Sequence, residues 1–286
     1  MKKRIFSSIA LLIILGGAYK MGSHGVAILI ILIGLLTQRE FYALLKKTGQ
    51  KPFVMTGMLG GILLMLGAYI SGKAKVLNIF PILPYSEECL AILIAIITVR
   101  GLVARSPEIS SGIIPTLTGI FIPFMCIFPL KLIVLGNSIF GPNNNSTIAI
   151  IFHIIFTAKA CDIGGIFAGK YFGRHKLAAK LSPNKTIEGA IGGILCSNIV
   201  GMLLAIFFYR HFLPGKASLP ILAIVTSTLL AILAMVGDFM ESAIKRLAGE
   251  KDSGNVLPGM GGIFDLTDSL IFALPFGAIF ALHCLI

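Results

Sequence analysis

Long apolar runs alternate with short polar connections along almost the whole chain. Runs of this kind, bounded by charged or turn-forming residues, predict helices that cross a membrane, which takes about 20 mainly apolar residues. Nine candidate spans result, at approximately 5–19, 24–38, 53–70, 89–104, 112–135, 146–161, 188–209, 219–237 and 263–285. Three prolines interrupt the fifth span, which we expect to be kinked or broken: Pro115, Pro123 and Pro129. The pattern predicts an all-α, polytopic integral membrane protein.

Lysine and arginine are distributed unevenly between alternate connections. The N-terminus and the segments 39–52, 100–111, 159–187 and 238–262 hold 18 of the 24, and the other connections hold six. By the positive-inside rule, this asymmetry predicts a cytoplasmic N-terminus, nine spans and an outside C-terminus. A cleavable signal peptide is an alternative for the first span, but its removal would leave the charge bias unexplained.

Composition supports the same class, because 56% of the 286 residues are hydrophobic and only 13% are charged. The net charge of +12 then reflects topology and helps to hold anionic lipid or nucleotide at the cytoplasmic face. No nucleic-acid partner is expected, since no basic module with interleaved aromatic residues stands outside the spans. We expect a single transmembrane domain over 1–286, with N-terminal spans at 1–145 and C-terminal spans carrying the site at 146–286.

Eight of the twelve acidic residues lie from Asp162 onward, at or next to the predicted cytoplasmic ends of the last four spans. Ionisable groups are costly near apolar spans, at about 2.5–3.5 kcal/mol at a helix centre, so they are functional candidates. If the eighth span continues as a helix past Asp238, that residue shares a face with Glu241 and Lys245, and Ser242 flanks them.

Asp265 and Asp268 have the same i, i+3 spacing behind a glycine-rich turn at 258–262. Such a turn lets backbone amides approach phosphate closely, and a helix start adds favourable positive potential. Paired carboxylates suit Mg²⁺, which takes one or two of them together with phosphate oxygens and water. The alternative is that these carboxylates only form ion pairs with neighbouring basic residues at the lipid interface.

A second polar stretch, at 173–188, joins the sixth and seventh spans. Its basic residues and hydroxyls can contact phosphates, whereas Ser182 and Pro183 with Glu188 could equally start a helix. Asp162 is expected to close the sixth span before Gly164 and Gly165, and it is a further functional candidate.

The segment 242–268 resembles the signature of the phosphatidate cytidylyltransferases, also called CDP-diacylglycerol synthases. The matching pattern is Ser242-x-x-Lys245-Arg246-x4-Lys251-Asp252-x-Gly254-x-x-Leu257-Pro258-x-x-Gly261-Gly262-x-x-Asp265-x-x-Asp268. Two further stretches are similar to the same family: Asp162-x-Gly164 with Gly169 and Gly173, and Ser182-Pro183-Asn184-Lys185-Thr186-x-Glu188-Gly189. The resemblance covers roughly the C-terminal half. The chain departs from the family pattern at Met260, where a histidine is usual, and at Leu266, where an arginine is usual.

The resemblance implies transfer of a cytidylyl group from CTP to phosphatidic acid, which gives CDP-diacylglycerol and pyrophosphate in phospholipid biosynthesis. It implies Mg²⁺ as cofactor and is compatible with a two-cation site that includes K⁺. The expected partners are CTP, phosphatidic acid and membrane lipids, with a homodimer as an open alternative to a monomer. The expected location is a bacterial-type inner (plasma) membrane, with the active site at the cytoplasmic face.

Each candidate residue has an expected role in this reaction. The expected metal ligands are Asp238, Asp265, Asp268 and Asp162. The residues expected to contact phosphates or to orient those contacts are Lys185, Lys245, Arg246, Lys251 and Asp252. The further expected substrate contacts are Ser182, Thr186, Ser242, Gly261 and Gly262.

Two other functions stay open on the sequence. A CTP-dependent lipid-alcohol kinase would transfer the γ-phosphoryl group and release CDP. A transporter of anionic solutes could also use broken helices and polar helix ends, but it would be expected to show corresponding interrupted spans in its two halves. The concentration of charge in the C-terminal half favours an enzyme.

Overall fold

The computed structural model describes residues 2–77, 109–140, 146–178, 182–212 and 219–284. The helices are α1 (Lys2–Lys20), α2 (Gly22–Lys47), α3 (Val54–Leu77), α4 (Ile109–Phe140), α5 (Ser146–Phe172), α6 (Ile187–Phe212), α7 (Leu219–Leu247), α8 (Ile263–Thr267) and α9 (Leu270–Cys284). The strands β1 (Lys176–Ala178) and β2 (Ser182–Thr186) pair antiparallel between α5 and α6. Apart from this small sheet, the described elements are helical.

The prediction of an all-α polytopic membrane protein is confirmed. Within the described ranges, five helices are long and apolar enough to cross a membrane, namely α2, α4, α5, α6 and α7, and parts of α1, α3 and α9 form shorter apolar helices. The predicted fourth span, at 89–104, lies outside the described residues. The count of nine spans and the orientation of the N-terminus stay predictions.

Helix boundaries differ from the prediction in three places. The fifth span, which was expected to be kinked or broken, is not broken, since α4 continues through its three prolines. The sixth span does not close at Asp162, because α5 continues to Phe172. The ninth span is two helices, which are separated by a turn at Asp268 and Ser269.

The described residues form two compact units. Unit 1 comprises those within Met1–Asn143 and Ile244–Thr267, and unit 2 comprises those within Asn144–Ala243 and Asp268–Ile286. The segment 244–267, which carries most of the signature, thus groups with the N-terminal helices. The expected division at residue 145 did not include this grouping.

In unit 1, α4 packs against α2 and α3, and α8 packs against α2. Part of its apolar core consists of Leu64, Ala68, Ile120 and Ile127. A polar contact also joins two of these helices. The buried Tyr42 hydroxyl of α2 donates to the carbonyl of Thr116 in α4 at 2.8 Å. These contacts hold the end of α2 in place, and α2 carries a site residue described below.

In unit 2, α5 and α6 pack closely through small residues. A Cβ at Gly164 would overlap the side chain of Cys196, and a Cβ at Gly192 would overlap Ala168. Glycine therefore allows the two backbones to approach, as small residues commonly do between membrane helices. The close packing positions the sheet that follows α5.

Candidate active site

Three carboxylates converge in unit 2, two from α7 and one from the turn after α8. Asp238, Glu241 and Asp268 each offer an oxygen within 4.8 Å of the other two. The helix continues past Asp238 as the sequence analysis required, so its i, i+3 spacing puts Glu241 on the same face. Gly237 lets the turn approach α7, because a Cβ there would overlap the backbone carbonyl of Asp268.

These three carboxylates fit a cation. Glu241 is buried, and Asp238 and Asp268 are partly buried, so their mutual repulsion is less screened than it would be in water. A hard divalent cation takes carboxylate oxygens, and it would neutralise this repulsion. Glu241 was recognised in the sequence only as a neighbour on the Asp238 face and not as a ligand.

Lys185, at the end of β2, forms an ion pair with Asp238. Its Nζ also lies 3.9 Å from the centroid of the Phe239 ring, over which a cation is attracted by the ring quadrupole. The ammonium is therefore held beside one of the three clustered carboxylates.

A second cation, Lys159 of α5, was missed in the sequence analysis. Its Nζ donates to Ser269 Oγ at 2.6 Å and to Asp162 Oδ2 at 3.2 Å, and it lies 3.5 Å from Asp268 Oδ1. The i, i+3 spacing to Asp162 was visible in the sequence, but the contacts with Asp268 and Ser269 join positions over 100 residues apart. Asp162 thus faces a lysine on its own helix.

The polar stretch before α6 forms a strand rather than a helix start at Ser182. The helix begins at Ile187, and the Thr186 hydroxyl accepts a hydrogen bond from the Gly189 amide at 3.1 Å, which is a capping contact. Glu188 is paired with His175, with 2.7 Å between Oε1 and Nδ1. The alternative in which Ser182 starts the helix is therefore wrong, and the hydroxyl of Thr186 has a structural role.

A pocket of about 310 Å³ lies beside these groups in unit 2. Its polar lining consists of Asp162, Ser182, Asn184, Lys185, Thr186 and Asp238. Its apolar lining includes Ile166, Leu177, Ala190, Met235 and Phe239. A ligand with a polar end and an apolar body would match both parts, and an anionic end would need a bound cation to offset the two carboxylates of the lining.

In unit 1, Asp265 is surrounded by donors from the chain itself. Its Oδ1 accepts from Lys245 Nζ at 2.7 Å. Its Oδ2 accepts from the Ser253 amide at 2.8 Å, the Ser253 hydroxyl at 2.8 Å and the Gly262 amide at 2.7 Å. A carboxylate offers about four lone-pair positions, so these four contacts account for the usual number of hydrogen bonds that the Asp265 carboxylate can accept.

The loop between α7 and α8 is folded tightly around this carboxylate. Leu257 and Gly261 exchange two backbone hydrogen bonds, at 2.9 and 3.2 Å. Gly259 has φ +80° and Gly261 has φ +98°, which only glycine adopts readily. The glycines of the signature therefore shape the loop, and a Cβ on Gly261 would also overlap Asp265.

The outer surface of the loop is polar and exposed. Lys251 and Asp252 are exposed, and they line a shallow depression of about 500 Å³ together with Asn255 and the turn 257–261. Arg246, in the last turn of α7, is exposed as well. The loop offers a cation on an open surface to an anionic ligand, whereas the amides of Leu257, Met260, Gly261 and Gly262 already donate within the loop.

Glu40 of α2 lies beneath the same loop and was missed in the sequence analysis. It is 7% exposed, and its Oε2 accepts from the Phe264 amide at 2.8 Å and the Ser253 hydroxyl at 3.0 Å. Asp162 was a functional candidate because it is an ionisable group next to an apolar span, and Glu40, at the end of the second apolar run, meets the same criterion. The partners of Glu40 are more than 200 residues away along the chain, so the sequence pattern did not reveal them.

The predicted site residues thus divide between the two units. Those in unit 2 are Asp162, Ser182, Lys185, Thr186, Asp238, Ser242 and Asp268. Those in unit 1 are Lys245, Arg246, Lys251, Asp252, Gly261, Gly262 and Asp265. Their individual catalytic, substrate-binding and metal-binding roles stay predictions.

The fold and these polar groups define the class: a polytopic membrane protein whose carboxylates and lysines suit the chemistry of phosphates with a cation. Residues 2–284 match the sequence model of the Cytidylyltransferase family, and the chain belongs to this family. A phosphatidate cytidylyltransferase of Staphylococcus epidermidis is 32% identical over 238 residues, which are 76% of this chain and 88% of the relative. Phosphatidate cytidylyltransferases of Staphylococcus haemolyticus and Staphylococcus aureus are each 37% identical over 150 residues, 52% of this chain and 55% of the relatives. The family resemblance drawn from the signature is confirmed.

Proposed function

We propose that the protein transfers the cytidylyl group of CTP to phosphatidate, which gives CDP-diacylglycerol and pyrophosphate. Membership of the Cytidylyltransferase family and the names of its relatives support the reaction. The observation that carries the proposal in the structure is the cluster of Asp238, Glu241 and Asp268 next to Lys185. Carboxylates for a cation and a lysine for phosphate are the groups that such a transfer needs.

The reaction requires no nucleophile from the protein. A phosphate oxygen of phosphatidate attacks the α-phosphorus of CTP, a new P–O bond forms, and the bond from the α-phosphorus to the bridging oxygen breaks as pyrophosphate leaves. Because that phosphate oxygen is already anionic, a general base is not needed to activate it. The protein instead has to bring two polyanions together and to stabilise the charge that develops on the leaving group.

We infer that a divalent cation, Mg²⁺ by the family resemblance, is held by Asp238, Glu241 and Asp268. When bound there, it would neutralise phosphate charge and act as a Lewis acid. This set differs from the predicted one, since Glu241 replaces Asp265 and Asp162 faces Lys159. The second cation, such as K⁺, stays an expectation from the resemblance alone.

We further propose that the pocket in unit 2 receives the phosphatidate headgroup. Lys185 would contact its phosphate, and the apolar lining would contact the glycerol and the upper acyl chain. In unit 1, the exposed Lys251 and the loop around it would contact phosphates of CTP. A basic side chain on an open surface is suited to a flexible triphosphate.

Labelled CTP tests the reaction on the purified protein with phosphatidate and Mg²⁺. Label in the α-phosphate should enter the lipid, and label in the γ-phosphate should leave as pyrophosphate. In a parallel assay with a lipid alcohol such as diacylglycerol as acceptor, label from the γ-phosphate in the lipid would instead identify a kinase. A protein that incorporates neither label, although it is folded, would contradict the proposal, and uptake of an anionic solute into vesicles would then favour a transporter.

We propose that the site faces the cytoplasm of a bacterial-type plasma membrane, as the charge asymmetry predicts. A reporter inserted in 39–52 or 159–187 should then be cytoplasmic, and one after residue 286 should be outside. A cytoplasmic signal from the C-terminal fusion would contradict the nine-span topology while leaving the reaction untouched.

A further inference from the structure

Three residues of α1 and α2 contact the signature loop within unit 1. The Ser7 hydroxyl donates to the carbonyl of Pro258 at 3.0 Å. Lys47 pairs with Glu250 at 2.8 Å on the exposed surface. Glu40 forms the buried contact, and it is the one that reaches the loop interior.

The carboxylate of Glu40 links two ends of the loop. Its Oε2 accepts from the Ser253 hydroxyl, near the beginning of the loop, and from the Phe264 amide in the first turn of α8. The same Ser253 hydroxyl lies 2.8 Å from Asp265 Oδ2. A hydroxyl has one proton to donate, so Glu40 and Asp265 share a single donor. The conformation of Ser253 is therefore tied to both carboxylates.

Two signature glycines make room for this arrangement. A Cβ added at Gly262 would overlap Glu40 Oε2, and a Cβ at Gly254 would come within 2.7 Å of Glu40 Oε1. Gly262 also donates its amide to Asp265. Glycine at these two positions therefore leaves space for the buried carboxylate of Glu40 from α2.

We propose that Glu40 is a positioning residue for nucleotide binding. Its carboxylate joins Ser253 to the start of α8 and so sets the backbone that holds Asp265, Gly262 and the exposed Lys251. Glu40 itself contacts no substrate under this proposal. The inference rests on the proposed function, because it assigns the loop to CTP.

The test compares Glu40→Gln and Glu40→Ala with Glu250→Gln in the purified full-length protein. Glu250 is a matched control, since it also removes an acidic charge from unit 1 but its ion pair is exposed. Glu40→Ala should lower kcat/KM for CTP by about 100-fold, and Glu40→Gln, which can still accept one hydrogen bond, by about tenfold. KM for phosphatidate should change by less than about twofold in all three variants, as should every constant of Glu250→Gln.

A double-mutant cycle of Glu40→Gln with Ser253→Ala adds a second measurement. Because both changes break the same contact, their effects on kcat/KM for CTP should be clearly less than additive. Normal CTP constants in both Glu40 variants would overturn the positioning role. So would equal losses in the CTP and phosphatidate constants, or strictly additive effects in the cycle. A wild-type protein that transfers no cytidylyl group would instead overturn the proposed function.

Discussion

Asp265 and Asp268 are three residues apart in the signature, but their surroundings differ. Asp265, in unit 1, accepts from a lysine, a hydroxyl and two backbone amides. Asp268, in unit 2, accepts from the Ser269 amide at 2.6 Å, lies 3.5 Å from Lys159 Nζ, and has two other carboxylates within 4.8 Å. The first environment surrounds one carboxylate with protein donors, and the second brings three carboxylates together, a grouping that suits a cation.

The contrast teaches that two carboxylates of one motif can have separate roles. Asp265 stabilises the loop, and Asp268 belongs to the set that we propose for metal. The two roles predict different results when each charge is removed. Activity alone cannot separate them, because both losses inactivate an enzyme, whereas activity measured together with stability can.

The largest effect is expected for Asp268→Asn. Loss of a metal-bound carboxylate should reduce cytidylyl transfer at least about 10³-fold, which corresponds to several kcal/mol of transition-state stabilisation. The melting temperature should fall by no more than roughly 2 °C, since the change also relieves repulsion within the cluster. Turnover of Asp268→Asn near the wild-type value would contradict the metal assignment.

Asp265→Asn should combine a loss of activity with a loss of stability. The asparagine keeps one acceptor oxygen but weakens the charge-assisted contact with Lys245, which should cost about 2–4 kcal/mol. A melting temperature lower by roughly 5–10 °C is the expected sign of this role. Should Asp265→Asn melt like the wild type and instead require far more Mg²⁺, Asp265 is a metal ligand and the contrast with Asp268 fails.

Glu241→Gln should have an intermediate effect that Mg²⁺ can reverse. With one of three ligands weakened, the Mg²⁺ concentration for half-maximal activity should rise about 10- to 100-fold, while activity at saturating Mg²⁺ largely recovers. Titrations of Glu241→Gln beside Glu250→Gln measure this shift. An unchanged Mg²⁺ dependence would remove Glu241 from the ligand set and would leave Asp238 and Asp268 as a pair.

The sequence allowed the class and much of the site to be predicted, because both depend on local patterns. Apolar runs located the helices, and i, i+3 spacing located Asp238 and Glu241 on one face of α7. The departures were also local: α4 continues through its three prolines, and the Asp268 turn divides the last span.

The contacts that the sequence did not predict join distant segments. Lys159 meets Ser269 across 110 residues, and Glu40 meets Phe264 across 224 residues. No periodicity encodes such a pairing. Glu40, the buried acid of α2, also lies far along the chain from the charge-rich C-terminal half. The structure thus adds a contribution from the N-terminal half to the signature loop.

Met260 tests the loop side of the comparison and should show the smallest effect. The side chain is 36% exposed in the turn between Gly259 and Gly261, and it marks the position where the chain departs from the family pattern named in the sequence analysis. A thioether does not transfer protons and is a poor ligand for Mg²⁺, which prefers oxygen. Because the loop shape depends on glycine conformations and on Asp265, Met260→Ala should retain activity within about threefold of wild type. Side-by-side assays with Asp268→Asn at saturating Mg²⁺ and CTP measure the difference.

If Met260→Ala is as inactive as Asp268→Asn while it remains folded, the loop depends on that side chain, and the separation of supporting loop from metal ligands is wrong. If Met260→His raises a very low wild-type activity by orders of magnitude, phosphatidate is not the main substrate of this chain.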